Sequence, residues 1–510
     1  MSQVKFQKTY GISSEEGKSI IQTQEGNYVF AGYTNGFGVT ESILLIKTNP
    51  LGDTLWSRAY NHSGFNFLVT RMKQTADDGF ILTGNIIDTG SYIRHICLLK
   101  VDGNGNLQWS KRYYGTSQEE SNSVQQTTDG GYILCGYTSS FGAGQRDACL
   151  IKTDATGTIQ WQRTYGSIFN ESGFYVEQTT DNGFILSGYV VDTGASPMDI
   201  LLIKTDSNGN LIWNKKIGSI YDDNGISVQQ EVGGYSIIST TQIYDITFVP
   251  SLYSKFDLVK VDKNGNLIWA RRFGEFVLAV NDGCKFGRKT NDGGYVLTGT
   301  PTGCPCSSYL IKTDSNGVIN WSKTYGMNGD WGANDIIQTI DNGYIMAGST
   351  MVAGPNDIYL IKTDANGNSG CYQNNGSFYD SIIVLAETSP TILIGTSSFT
   401  ETLLIPSTYS GCLTNTICTS VPASISEHFN PSSILLLSPN PTTSQLTIQT
   451  QDLKLKELHI YNVLGELVKQ SSIPGHPSSC IIDVSDLKNG MYFIETTSET
   501  ARLRSKFIKQ

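Results

Sequence analysis

The chain has 510 residues and a formal net charge of −10. It is long enough for more than one domain, and its charge gives no electrostatic reason to expect nucleic acid or an anionic membrane surface as a partner. Its 53 glycines, 26 tyrosines and 20 phenylalanines beside 14 prolines fit an all-β protein, with glycine at turns and aromatics on strands. No apolar run, Ile434 to Leu437 included, approaches the ~20 residues of a membrane-spanning helix, so no transmembrane segment is expected.

The chain opens Met1-Ser2-Gln3-Val4-Lys5 and enters strand-like sequence at once, with no charged stretch leading into an apolar one that would mark an export signal. Repetition then sets the organisation. Trp56, Trp109, Trp161, Trp213, Trp269 and Trp321 stand 53, 52, 52, 56 and 52 residues apart, and Phe6 lies 50 residues before the first. Each unit reads as four short strands. In the third, Ser123 to Thr127 is followed by Asp129-Gly130-Gly131, then by Tyr132 to Tyr137. A loop leads to Ala148 to Asp154, and a Gly-containing turn to Thr158 to Tyr165. Asp-Gly and Asn-Gly are the residues tight hairpin turns require, because both central positions need φ > 0. Four-strand units of this period predict the blades of a β-propeller, with a solenoid as the rival.

An Asp or Asn sits seven residues before each tryptophan: Asn49, Asp102, Asp154, Asp206, Asp262 and Asp314. The seventh, Asp364, points to Cys371, where no tryptophan stands. The pattern missing there is present at Phe6 to Gly11. The first strand is therefore expected to complete the seventh blade and leave no open edge. The propeller is assigned to residues 1–371. The repeat Asp-x-x-Gly-x-x-x-Trp, as in Asp206 to Trp213, resembles a one-residue-shorter form of the tryptophan-docking motif of quinone-dependent dehydrogenase propellers, and the units are also similar to kelch repeats. These resemblances imply a propeller and transfer no activity.

Cys97 and Cys149 share a repeat position suited to small buried groups. Cys284, Cys304 and Cys306 form one cluster and Cys371, Cys412 and Cys418 another, and disulfides within them are expected in an oxidising compartment. The spacing lacks paired Cys-x-x-Cys elements and nearby histidine, so no metal is assigned. Residues 372–433 form a Ser/Thr-rich bridge to which the sequence gives no fold.

The C-terminal segment, 434–510, contains Ser438-Pro439-Asn440-Pro441, then Leu458 to Gly465, Ile482 to Phe493 with Gly490 and Tyr492, and Lys506-Phe507-Ile508-Lys509. The order of Pro439-Asn440-Pro441, the hairpin at Gly465, the Gly490-x-Tyr492 strand and the terminal Lys506 and Lys509 resembles the type IX secretion C-terminal sorting domain of Bacteroidota. That resemblance implies a small immunoglobulin-like β-sandwich, handling by the type IX machinery at the outer membrane, and secretion or surface anchoring. The family also uses an N-terminal signal, and its absence here is read as a trimmed or misplaced start.

Two basic series repeat once per unit. One follows each tryptophan position by two residues (Lys8, Arg58, Lys111, Arg163, Lys215, Arg271, Lys323). The other is Lys47, Lys100, Lys152, Lys204, Lys260, Lys312 and Lys362. Recurring around a ring, they read as packing, not as one anionic patch. The repeated turn aspartates could supply the paired carboxylates of a glycosidase, but a residue present in every blade is more simply a turn former. His95 takes a position held elsewhere by Asp147, Asp199 and Asp357, and no Ser-His-Asp partner is visible. No adjacent cysteines or carboxylate cluster suggests a quinone platform, so no cofactor is assigned.

The function expected is an exported binding propeller for carbohydrate or protein. The alternative is a hydrolase or lyase acting on extracellular polysaccharide. First and third hairpin turns fall at one end of a blade and are short. The second loops and inter-blade connections fall at the other end and vary, as functional loops on a rigid scaffold do. There Tyr244, Asp245 and Tyr253 of the stretch Gln242 to Lys255, with Asp330 and Trp331, are the candidate ligand-binding residues. Trp331 and Tyr253 would stack on a ligand, and Asp330 or Asp245 would accept hydrogen bonds.

Overall fold

The computed structural model describes every residue except 1–2, 12, 37–40, 192–196, 246–250, 276–282, 301–307, 327–329, 351–355, 371–372, 376–377, 389–392, 396–399, 404–406, 410–412, 421–434, 440, 451–453, 463–466, 474–478, 498–501 and 510. For some further strand residues, Tyr244, Asp245, Tyr253, Asp330, Trp331 and Lys506 among them, only the backbone is described. No helix occurs among the described residues, and none is therefore long and apolar enough to cross a membrane. The chain divides into two compact units, 1–422 and 423–510.

The first unit is a seven-bladed β-propeller. Blades one to six span 15–61, 65–114, 119–166, 171–218, 222–275 and 283–325. In each, strands A to D run outward in sequence order as an antiparallel meander. Blade seven takes strands A to C from 330–363, and the N-terminal strand Lys5–Gly11 is its strand D, with Phe6 opposite Lys362 and Tyr10 opposite Ile358. The closure expected from the Phe6 register is thus present as a ladder.

The Ser/Thr-rich bridge turns out to be a belt. Seven short strands, Gln373–Asn375, Phe378–Ile383, Ala386–Thr388, Leu393–Gly395, Thr400–Leu403, Ser407–Tyr409 and Leu413–Ser420, add a fifth, antiparallel strand to blades six, five, four, three, two, one and seven in that order. The chain thus runs back around the whole ring and covers the outer edge of every blade. Open edges are templates for unwanted pairing, and this one segment blunts all seven. Described side chains fasten it: Asp380 accepts from the Arg271 guanidinium at 2.5 Å, and Asn375 from Lys323 at 2.7 Å. Leu385 is buried against the core shared by blades four and five.

Repeated residues lock each blade to the next. The half-buried tryptophan of strand D packs on the first aromatic of strand B in the following blade, as in Trp109 with Tyr132, Trp161 with Phe184 and Trp321 with Tyr344, all at 5.8 Å. Such pairs contribute about 0.5–1.5 kcal/mol beyond burial. Phe6 makes the same contact with Tyr28 at 6.2 Å, across the seam between blades seven and one. The same rings lie over the C–D turn of the next blade. A Cβ on Gly105 (φ +76°) would come within 2.8 Å of Trp56, so both the turn and the ring require glycine there. Four residues after the tryptophan position, the hydroxyls of Tyr10, Tyr60, Tyr113, Tyr165 and Tyr325 each donate to the carbonyl of that turn glycine at 2.6 Å.

The second lysine series is structural in all seven blades. Each ammonium meets the acid of its own A–B turn: Lys100 with Asp77, Lys152 with Asp129, Lys204 with Asp181, Lys312 with Asp292 and Lys362 with Asp341 at 2.8–3.0 Å, Lys260 with Glu231 at 3.1 Å and Lys47 with Glu25 at 3.8 Å. The turn aspartates before the tryptophans are likewise consumed locally. Asp102 Oδ1 accepts from the backbone of Asn104 and Asn106, and Oδ2 from the Asn106 side chain.

The C-terminal unit, described from Leu435 onward, is a β-sandwich of two antiparallel sheets. One has three strands (Leu435–Ser438, Gln445–Thr450, Ser479–Asp483) and the other four (Leu467–Ser472, Glu457–Asn462, Gly490–Thr497, Arg502–Lys509). Leu446 and Ile448 from the first meet Leu458, Ile460, Ile494 and Phe507 from the second in one core.

Candidate functional site

Strand A of every blade carries a β-bulge at the same place, where one residue drops out of the ladder with strand B. The bulged residues are Lys18, Thr70, Asn122, Phe174, Ile226, Lys285 and Asn334. A bulge re-aims its side chain, and here the seven side chains surround the central channel. Together with Val69 and Arg71 they line a funnel of about 250 Å3 at the middle of the A strands.

The ring is uneven. Phe174 and Ile226, on neighbouring blades, form an apolar arc, while Lys285, Asn334, Lys18, Thr70 and Asn122 form a polar one. Part of that polarity is structural. Thr70 Oγ1 donates to Ser121 O, Asn122 Nδ2 to Gly173 O and Asn334 Nδ2 to Gly17 O, each clamping one blade to the next at 2.8 Å. Lys18 pairs with Glu16 at 2.5 Å.

Of the residues that follow the bulges, Arg71 lines the funnel. Asp335 is fully buried; it accepts from Ser19 Oγ at 3.1 Å, Ile20 N at 3.0 Å and Ile336 N at 2.9 Å, and meets Arg288 at 3.2 Å. Arg71 lies flat on Phe286, 4.0 Å from the ring centre, and approaches Asp335 at 3.4 Å. Its Nε and Nη1 are buried without a hydrogen-bond partner. Lys73 donates to the Tyr175 hydroxyl at 3.2 Å. Burial opposes ionisation of that phenol, yet Lys73, Arg288 and Arg71 hold its pKa below the usual tyrosine value, with Glu177 opposing them. Asp335 is held low in the same way, by Arg288 and Arg71 against its burial.

The residues expected from sequence fall elsewhere. Tyr244 and Asp245 end strand B of blade five (Gly234–Asp245), and Tyr253 is near the start of its strand C (Ser251–Asp262), opposite Ile243. Most of the stretch Gln242 to Lys255, expected to be a loop, thus extends the hairpin ladder, as its alternating Ile243, Tyr244 and Tyr253 permit. Asp330 and Trp331 begin strand A of blade seven (Asp330–Gln338). Asp330 pairs with Thr350, the register that Glu15 keeps with Thr34 and Glu119 with Thr138, while Trp331 is an extra residue in a second bulge. In other blades that acid caps the inter-blade connection. Glu15 accepts from Ser13 N at 3.1 Å and Glu171 from Ser167 N at 3.0 Å. The five candidates therefore share one end of the propeller but not one strand or blade.

The funnel residues were missed. The sequence offers only a fixed place: Lys, Thr, Asn, Phe, Ile and Asn stand four residues before Gln22, Gln74, Gln126, Gln178, Gln230 and Gln338, while the residues beside them vary as much. A larger cavity of about 830 Å3 lies at the short-turn end between blades seven and one. Its lining does closure work: Gln22 accepts from Ile340 N, and Tyr28 packs on Phe6.

Cys97, Cys135, Cys149 and Cys480 are free thiols, the first three buried. The clusters Cys284/Cys304/Cys306 and Cys371/Cys412/Cys418 lie outside the described side chains. Among the described residues no group of His, Cys, Asp or Glu is placed to hold a metal.

Residues 437–510 match the family model described as a secretion system C-terminal sorting domain. The C-terminal unit is a type IX sorting domain. Within this sorting domain Pro439 and Pro441 are exposed just beyond the first strand, Gly490 opens a strand, and Tyr492 is buried, its hydroxyl donating to Lys488 O at 2.8 Å. Lys509 is buried, Lys506 lies on the last strand, and Asn440 and Gly465 are outside the described residues. The sorting domain marks the chain for handling by the type IX machinery and for export to the medium or the cell surface. No curated protein matches the chain. Among solved structures, a protein of unknown function from Dyadobacter fermentans is similar at 10% identity and a TM-score of 0.40, over 71% of this chain and 99% of that one.

Proposed function

We propose that the propeller is an exported binding module whose ligand, a glycan or a protein segment, docks in the funnel. One observation carries this: seven bulges, one per blade, turn side chains that differ from blade to blade toward a single cavity. Rigid scaffolds with variable residues at one concave site are how ligand sites are built. Tyr253 and Trp331, at the end that bears the long connections, would widen the platform by stacking, and Tyr244, Asp245 and Asp330 would supply its polar rim. A glycan-array screen of the purified protein, with product release followed in parallel, tests the reading. Binding that weakens in Phe174→Ala supports it, and a ligand indifferent to every funnel substitution contradicts it.

A second reading, a lyase or hydrolase of extracellular polysaccharide, has one observation in its favour. Tyr175, next to the cavity-lining Phe174, has its hydroxyl accepting from Lys73 at 3.2 Å and Arg71 6.0 Å from its ring, cations that favour a phenolate base. Product release from a bound polysaccharide, abolished in Tyr175→Phe with binding retained, would establish it.

A further inference from the structure

We propose that the funnel recognises an acidic sugar residue, its carboxylate taken by Arg71 and Lys285 and its ring face laid on Phe174. The inference rests on the funnel being the binding site and names the class of ligand.

Charge comes first. Lys18, Arg71, Lys73, Lys285 and Arg288 face or underlie the channel, against Glu16, Glu177 and Asp335 among the described residues. A chain of net charge −10 therefore concentrates a cationic excess at its axis. Asp335 takes up part of it, meeting Arg288 at 3.2 Å and Arg71 Nη1 at 3.4 Å, so one of these two guanidinium charges is left uncompensated.

Arg71 is the anchor. No guanidinium nitrogen is hydrogen-bonded among the described residues, and with Nε and Nη1 buried, Nη2 is the one left with solvent access. Phe286 at 4.0 Å and Tyr175 at 6.0 Å form an aromatic wall on one side of the guanidinium. A planar donor held in place at the foot of a small cavity suits a carboxylate better than a diffuse charge would. Lys285 is exposed on the rim with no acid partner among the described residues.

The remaining lining selects a sugar over a bare ion. The amide nitrogens of Asn122 and Asn334 are spent on neighbouring blades, which leaves both carboxamide oxygens as acceptors for hydroxyls. Phe174, held by Tyr189 at 5.6 Å, and Ile226 supply an apolar arc for the C–H face of a pyranose. At about 250 Å3 the funnel lies below the roughly 300–1,000 Å3 of drug-sized sites, so it suits one terminal ring and not the interior of a chain.

The experiment is calorimetric titration of the full chain with trigalacturonate, with galactotriose as its neutral counterpart and a short peptide as a non-sugar carboxylate. Trigalacturonate should bind at least tenfold more tightly than either. Lys285→Gln, an exposed substitution, and Arg71→Lys should each weaken trigalacturonate about tenfold or more while leaving galactotriose unchanged. Failure of trigalacturonate to bind, equal affinity for galactotriose, or peptide binding that depends on Arg71 without uronate binding overturns the proposal. If neutral sugar binds and Phe174→Ala abolishes it, the funnel reading stands and only the acidic class falls. If trigalacturonate binds with all three variants unaffected, the funnel reading falls with it.

Discussion

At the scale of single residues the propeller contains its own mutational series. Five tyrosine hydroxyls cross to the next blade, but blade four has Ile217 and blade five Phe273 at that position. Tyr165→Phe removes the bond to Gly209 O and strands a buried carbonyl, which should cost about 1–2 kcal/mol in denaturant unfolding. Phe273→Tyr supplies the missing donor toward the Gly317 turn and should be neutral or stabilising; a loss as large as that of Tyr165→Phe would show that the hydroxyl is not what matters. The acid at the start of blade five gives a pH signature. Burial, reinforced by Asp257, pushes Asp223 up to about 6, although Thr241 and Ser219 hydrogen-bond it. The folded state therefore binds its proton more tightly than the unfolded chain does, and this contribution to stability is complete below about pH 4 and lost as pH rises through 6. Asp223→Asn should flatten the fall in melting temperature between pH 4 and 6. An unchanged slope would assign the fall to other groups.

At the scale of elements, legibility depended on whether a signal was local. The Trp period, the Asp-Gly turns and the Phe6 register are local or strictly repeated, and they predict blades and closure. The belt is neither. Its strands have three to eight residues, several too short to show alternation, and each exists only because a blade offers it an edge. The extended blade-five hairpin was mistaken for a loop because its length breaks the repeat. The bulge ring was invisible for the opposite reason, since a position that varies between repeats looks like noise until seven copies converge on one cavity. The N-terminal strand ties these elements together. Lys5–Gly11 pairs with blade seven on one side and with the last belt strand, Leu413–Ser420, on the other. Deleting residues 1–11 should therefore open two edges at once and lower the melting temperature by on the order of 5–10 °C, with increased aggregation. A variant that melts like the parent would contradict the closure.

At the scale of the whole molecule two units divide the work. The belted ring presents a funnel, and the sandwich carries the export address. Among the described residues the sandwich has a core of its own, in which Leu446, Leu458, Ile494 and Phe507 pack together. The propeller should then fold without the sandwich and yet fail to reach its destination. The direct measurement is fractionation of a Bacteroidota host expressing, behind an export signal, either the chain through residue 510 or one ending at residue 433. The account predicts the longer chain in the medium or on the cell surface, and the shorter one retained in the periplasm with the melting temperature of a folded propeller. Equal surface or medium levels of the two chains would contradict it.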